Sequence, residues 1–151
     1  MKYFNVALVS LALLFTAATA RADLEPYKDY AVSDSIWHVT TIRVNSNMGD
    51  AYLEGIRKTW VTSSQVSKDL GQIEDFKIYR SDMPEAGDFN LMLVVKFKND
   101  DALAPNKARY EAFMAKWGAD RDKETTAIAQ KDYPGMRTIT GEYRMREITL
   151  K

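Results

Sequence analysis

The chain has 151 residues, with 21 basic and 21 acidic side chains and a formal net charge of zero. This balance does not favour binding to nucleic acid or to an anionic membrane surface. The chain has no cysteine and one histidine, which excludes a disulfide framework and a zinc site built from cysteine and histidine.

The first 22 residues have the pattern of a secretory signal peptide. Lys2 gives a positive start, residues 4–20 are almost all apolar or small, and Ala20-Arg21-Ala22 forms a small-x-small cleavage site before Asp23. The apolar run is too short to span a bilayer, and no basic stop-transfer cluster follows it. We therefore expect export to the periplasm or beyond, with cleavage near Ala22. The alternative is a retained N-terminal anchor helix.

The predicted mature chain has the size of one domain. Cleavage leaves 129 of the 151 residues and removes Lys2 and Arg21, so that 19 basic side chains face 21 acidic ones, a net charge of −2. Residues 23–35 show no clear hydrophobic period and are expected to form an N-terminal arm. Residues 36–151 are expected to form a single domain with no membrane association after cleavage.

The first half of this domain predicts the order β-α-β-β. Ile36–Val44 is rich in β-branched residues and predicts a strand. Asp50–Leu70 carries an apolar stripe at helical spacing and ends at Gly71. Ile73–Ser81 predicts a second strand.

The third predicted strand, Phe89–Phe97, is the centre of the prediction. Five apolar residues run unbroken from Leu91 to Val95, and Phe89 and Phe97 lie in step with them. Both faces of the segment are apolar, which is typical of a strand that is covered on two sides.

The second half predicts helical segments followed by one long strand. Pro105–Ala119 is expected to be a helix with Asn106 as its N-cap. Lys123–Lys131 is expected to continue as a helix that Tyr133-Pro134-Gly135 ends. Thr138–Leu150 alternates and predicts the last strand.

The order β-α-β-β-α-β predicts an α+β, ferredoxin-like fold: a four-stranded antiparallel sheet with the helices on one face. The other face would then carry exposed apolar side chains, and such a patch usually marks an interface. A second copy of the chain is the simplest cover, so we expect a face-to-face homodimer. The expected side chains on this face are Tyr79, Met92, Val94, and either Tyr143 and Met145 or Ile148 and Leu150.

In element order and patterning, residues 36–151 resemble the dimeric α/β-barrel superfamily, in which two ferredoxin-like sheets face each other. The strings Tyr110–Gly118 and Gly141–Glu147 also resemble small exported bacterial proteins of unknown function. The superfamily includes cofactor-free monooxygenases, haem-dependent enzymes and proteins without a known activity. The resemblance therefore implies a fold and a dimer and leaves the chemistry open.

No catalytic or cofactor-binding motif is present in the sequence. Gly-x-Ser-x-Gly, phosphate-binding glycine loops and calcium loops are all absent. We therefore favour an exported homodimer that binds a ligand or has a structural role, with no cofactor implied.

The alternative is a small monooxygenase-like or isomerase-like enzyme with a pocket between sheet and helices. Its candidate residues are His38 as general base or haem ligand, Tyr79 or Tyr143 as hydrogen-bond donor, and Arg144 as anion holder. It requires His38, Tyr79 and Arg144 to meet in one cavity. A polar row of Glu142, Arg144 and Arg146 could also face the barrel interior or lie on a solvent-facing edge strand.

Overall fold

The computed structural model describes residues 23–151, so the predicted signal peptide lies outside the described residues. The strands are β1 (Tyr30–Val32), β2 (Ile36–Val44), β3 (Asp75–Arg80), β4 (Leu91–Phe97), β5 (Arg137–Met145) and β6 (Ile148–Leu150). The helices are α1 (Gly49–Ile56), α2 (Thr62–Asp69), α3 (Lys107–Trp117), α4 (Ala119–Lys131) and α5 (Tyr133–Met136), with a π-helical turn over Arg57–Val61 and a 3₁₀ turn over Asp100–Ala102. Within residues 23–151, no helix has the length and apolar character needed to cross a membrane.

The main sheet has four antiparallel strands in the order β3-β4-β2-β5. With a helical segment between β2 and β3 and another between β4 and β5, this is the ferredoxin-like arrangement. The predicted fold class is therefore confirmed. The two central strands are β2 and β4, which are also the most apolar in sequence.

One face of this sheet packs on the helices. Ile42 and Val44 of β2 and Leu91 and Leu93 of β4 form the buried core with side chains from α1 and α5. The helix predicted over Asp50–Leu70 is continuous from α1 through the π turn to α2, and it ends at Gly71, whose φ is +68°. The helix expected to begin at Pro105 begins at Lys107, with Asn106 Oδ1 accepting from Arg109 N at 2.9 Å, so the predicted N-cap is confirmed.

The single long strand predicted over Thr138–Leu150 was wrong. β5 ends at Met145, and β6 leaves the main sheet to pair with β1 in a separate two-stranded ribbon. Arg146 fixes the segment between β5 and β6. Its guanidinium donates to the carbonyls of Ser33 and Asp34 and to Asp100 Oδ2 at 2.7–3.1 Å. The predicted N-terminal arm is thus tied to the C-terminal end of the chain and contains a strand.

A β-bulge changes the faces of β5. Ile42 of β2 pairs with Ile139, whereas Thr41 pairs with Gly141, so one extra residue lies in β5 between these pairs. Beyond the bulge the alternation is reversed, and Tyr143 and Met145 point away from the helices. Of the two sets left open by the sequence, Tyr143 and Met145 therefore lie on the face of Met92 and Val94.

A buried polar cluster joins the start of β5 to the helices. The Tyr133 hydroxyl lies 2.5 Å from the Thr59 hydroxyl, which donates to Gly55 O at 3.1 Å. The Arg137 guanidinium carbon lies 5.8 Å and 5.2 Å from the ring centres of Tyr52 and Tyr133, within range of cation–π attraction. Burial raises the pKa of both tyrosines above the ordinary value, although the Arg137 charge acts in the opposite direction.

A matched pair of isoleucines tests where the core lies. Ile42 and Ile139 are cross-strand partners on the helix side, but Ile42 is 1% exposed and Ile139 is 45% exposed. In urea unfolding, Ile42→Ala should lower the free energy of unfolding by about 3 kcal/mol because it leaves a cavity. Ile139→Ala should lower it by about 0.5 kcal/mol or less. Equal losses would contradict the burial assigned to these two positions.

The tyrosine cluster predicts a loss of stability at high pH. Because burial raises the folded-state pKa of Tyr52 and Tyr133, their contribution is complete below about pH 10 and is lost as the pH rises through the folded-state pKa. The free energy of unfolding, measured by urea titration from about pH 8 to pH 11, should therefore fall. Tyr133→Phe should reduce the slope, and Tyr110→Phe, at an exposed tyrosine, should not. Identical slopes for both variants would contradict the assignment.

Candidate functional site

The sheet face turned away from the helices is the first candidate site, and we call it the open face. Its three most exposed apolar side chains are Tyr79, Tyr143 and Met145, with 48%, 52% and 55% of their surface exposed. The strand pairing also assigns to this face Trp37, Val39, Met92, Val94, Lys77 and Lys96. An apolar surface of this kind, rimmed by charges, is typical of an interaction site.

The centre of the open face is partly sheltered within one chain. Val94 is 6% exposed, because it lies between Lys77 of β3 and Val39 of β2 and is shorter than several side chains around it. Lys77 Nζ and Lys96 Nζ each lie 5.7 Å from the centre of the Trp37 ring. The rim, and not Val94, therefore offers the apolar surface that a partner could cover.

The three predicted catalytic residues do not meet in one cavity. His38 and Arg144 are cross-strand partners on the helix side of β2 and β5. Tyr79 pairs with Met92 and therefore lies on the open face, the opposite side of the sheet from His38. Their proposed roles as base, donor and anion holder stay predictions. A joint role would require all three side chains on one side of the sheet, and Tyr79 lies on the other side from His38 and Arg144.

The three charged residues predicted to form a row on the last strand do not lie together in the structure. The bulge turns Glu142 and Arg144 to the helix side, where both are exposed at the edge of the sheet. Arg146 lies beyond the end of β5 and binds the N-terminal arm. Because none of these side chains lies on the open face, the row does not face the interior of a barrel formed by two such faces.

The second candidate site is a cleft of about 400 Å³ between β4, α2 and α3, which we call the α2–α3 cleft. Its apolar lining comes from Trp60, Ile73, Val95, Phe97, Ala102, Ala104 and Phe113. Its polar lining comes from Ser63, Ser64, Ser67, Gln72, Asn106 and Arg109. A volume of this size and a mostly apolar wall with a few polar groups are typical of small-molecule sites.

The sequence contains a signal for this cleft that the predicted sites did not include. Ser63, Ser64 and Ser67 follow Trp60 at i+3, i+4 and i+7, the positions of a buried helical stripe. Two further clefts in the described part of the chain, of about 360 and 380 Å³, lie at the start of α1 and beside the 3₁₀ turn. His38, Tyr79 and Arg144 line none of the three.

No protein-family model matches the chain, and no curated protein is similar to it. Among solved structures, the chain is similar to HapK from Hahella chejuensis, with 15% identity and a TM-score of 0.44 over 74% of this chain and 91% of that one. It is similar to a protein from Shewanella oneidensis, with 11% identity and a TM-score of 0.45 over 80% and 98%.

A third solved structure is described as a dimeric ferredoxin-like protein of unknown function from Thermobifida fusca. It has 10% identity and a TM-score of 0.37, over 78% of this chain and 92% of that one. With identities of 10–15% and TM-scores below 0.5, these likenesses carry no functional argument. The ferredoxin-like fold follows from the strand order β3-β4-β2-β5 of this chain itself.

Proposed function

We propose that this protein is an exported homodimer that binds a small molecule and has no catalytic role. The open face supports the dimer, because Tyr79, Tyr143 and Met145 each leave about half of their surface in contact with solvent. A second copy that presents the same face would cover these side chains around a two-fold axis. Each sheet would then be covered on both sides.

The size of the open face indicates how strong the dimer should be. Four strands about 4.8 Å apart and about seven residues long, with a rise of about 3.3 Å per residue, give a flat area of roughly 450 Å². A stable interface buries about 800 Å² per partner. Side chains give the open face more accessible surface than its flat area, which brings it to the lower end of this size range, so the dimer is expected to dissociate on dilution.

The lining of the α2–α3 cleft supports binding rather than catalysis. A general base must lie within hydrogen-bond reach of the proton that it removes, with a pKa near the working pH. The residues that line this cleft within the described part of the chain include no histidine, aspartate, glutamate or lysine. The single charged group on the wall is the guanidinium of Arg109, which cannot act as a base near neutral pH.

The dimer is tested by a charge placed on the rim of the open face. Met145→Lys should place two lysines in the interface, where desolvation of the charge is costly. Light scattering over a series of protein concentrations should give a mass that rises toward twice the monomer mass for the wild type and stays at the monomer mass for the variant. Met83→Lys, at an exposed methionine outside the open face, is the matched control and should stay dimeric.

The position of the substitution matters for this test. Val94→Lys is unsuitable, because Val94 is buried within one protomer and its replacement would unfold the chain regardless of the dimer. A wild type that is monomeric at every concentration would refute the proposed dimer. A Met145→Lys variant that remains as dimeric as Met83→Lys would refute the proposed interface.

Export is tested on residues 20–22. The small side chains of Ala20 and Ala22 before the cleavage point support removal of residues 1–22. The intact mass of the protein recovered from the periplasm should therefore correspond to a chain that begins at Asp23. Ala20→Arg should block cleavage and leave the full-length chain with the membrane fraction, whereas Thr19→Ser should be cleaved normally. A wild-type protein that keeps its N-terminus would favour the retained anchor.

A further inference from the structure

We propose that the α2–α3 cleft binds an uncharged aromatic molecule of about two rings, with an oxygen of the ligand held by the Ser64 hydroxyl. This inference rests on the proposed ligand-binding function and assigns the chemical class of the ligand. The class follows from four properties of the cleft: its volume, its aromatic walls, one unpartnered hydroxyl and the state of its single charge.

The volume sets the size of the ligand. An apolar cavity of about 150 Å³ accommodates a benzene ring. The α2–α3 cleft measures about 400 Å³ and is open to solvent, so it has room for two rings with substituents. The expected ligand is therefore a compact molecule.

The walls favour an aromatic ligand. Trp60 and Phe113 line the cleft from the π turn and from α3, and Val95 and Phe97 of β4 form its floor. Trp60 is held in place by an edge-to-face contact with Phe76, with ring centres 5.5 Å apart. Aromatic rings held in this way offer faces and edges to another ring at a low cost in conformational entropy.

Ser64 supplies the polar contact. The residue is 7% exposed and lines the cleft. Its neighbour Ser63 donates to Trp60 O at 3.0 Å, but Ser64 makes no side-chain hydrogen bond to any other residue in the described part of the chain. The Ser64 hydroxyl is not one of the fully buried atoms without a partner, so it is accessible from the cleft and can bond an oxygen of a ligand.

The single charged side chain on the wall is already engaged. The guanidinium of Arg109 donates to the carbonyl oxygens of Asp101, Ala102 and Ala104. The two-pronged donor surface that would bind a carboxylate is therefore occupied. The lining of this cleft includes no acidic side chain, whereas the adjoining cleft beside the 3₁₀ turn carries Glu74, Lys98 and Asp101. A neutral ligand therefore fits best in the part of the cleft around Trp60 and Ser64.

Three probes of similar size test the proposed class: 2-naphthol, naphthalene and 2-naphthoate. We expect isothermal titration calorimetry to show the tightest binding for 2-naphthol. Naphthalene, which lacks the oxygen, should bind about fivefold more weakly, which is the factor expected for one hydrogen bond. Tighter binding of 2-naphthoate than of 2-naphthol would overturn the neutral class, although ligand binding itself would then stand.

Matched serine variants test the site. Ser64→Ala should weaken 2-naphthol about fivefold and leave naphthalene unchanged. Ser63→Ala is the adjacent control and should change neither, because that hydroxyl is bonded to Trp60 O. Equal effects of the two substitutions on 2-naphthol would overturn the role of Ser64.

Filling the cleft tests its location. Ser67→Phe should abolish binding of all neutral probes, whereas Gln65→Phe, at an exposed position of α2, should not. If Ser67→Phe does not fold, Ser64→Ala still decides the question. Met145→Lys should leave the binding of 2-naphthol unchanged. Loss of 2-naphthol binding in this variant would locate the probe on the open face and overturn the inference.

The two proposals can fail separately. A wild-type protein that is monomeric by light scattering but binds 2-naphthol with the expected dependence on Ser64 would refute the dimer and support the site. A dimer that binds none of the three probes would support the interface and overturn the inferred ligand class.

Discussion

The structure depends on a sheet whose central strand β4 is apolar on both faces while the helices of the chain cover only one. Ile42 and Leu91 bury their side chains under α1, and the opposite side of the same strands carries Val39 and Val94. Burial of apolar surface stabilises the fold by about 25 cal/mol per Å². Covering the open face would add to this stabilisation, and this is the reason to expect a partner.

A single extra residue in β5 decides what that partner would meet. Without the bulge beside Thr41, Tyr143 and Met145 would point toward the helices, and Glu142 and Arg144 would lie on the open face. The Tyr143 ring lies across Gly141, where a Cβ atom would come within 2.5 Å of the tyrosine hydroxyl. Glycine at this position leaves room for the ring, and the bulge gives the open face its apolar rim.

The two candidate surfaces lie on opposite sides of the sheet. The open face consists of side chains from all four strands, whereas the α2–α3 cleft lies on the helix side of β4. A ligand could therefore bind without disturbing a dimer, and a dimer could form without closing the cleft. The same division explains why His38 and Tyr79 do not act together, since one belongs to each side.

The sequence by itself determined the strand Ile36–Val44, the stop at Gly71 and the cap at Asn106, and it predicted Phe89–Phe97 where the structure has Leu91–Phe97, because periodicity and turn chemistry act over a few neighbouring residues. It also determined the doubly apolar third strand and, through the element order β-α-β-β-α-β, the ferredoxin-like fold. Only the tertiary structure decided that β6 leaves the sheet, that Arg146 binds the arm, and that Tyr143 rather than Arg144 lies on the open face. These features depend on pairing register and on contacts between distant parts of the chain, which local patterns do not encode.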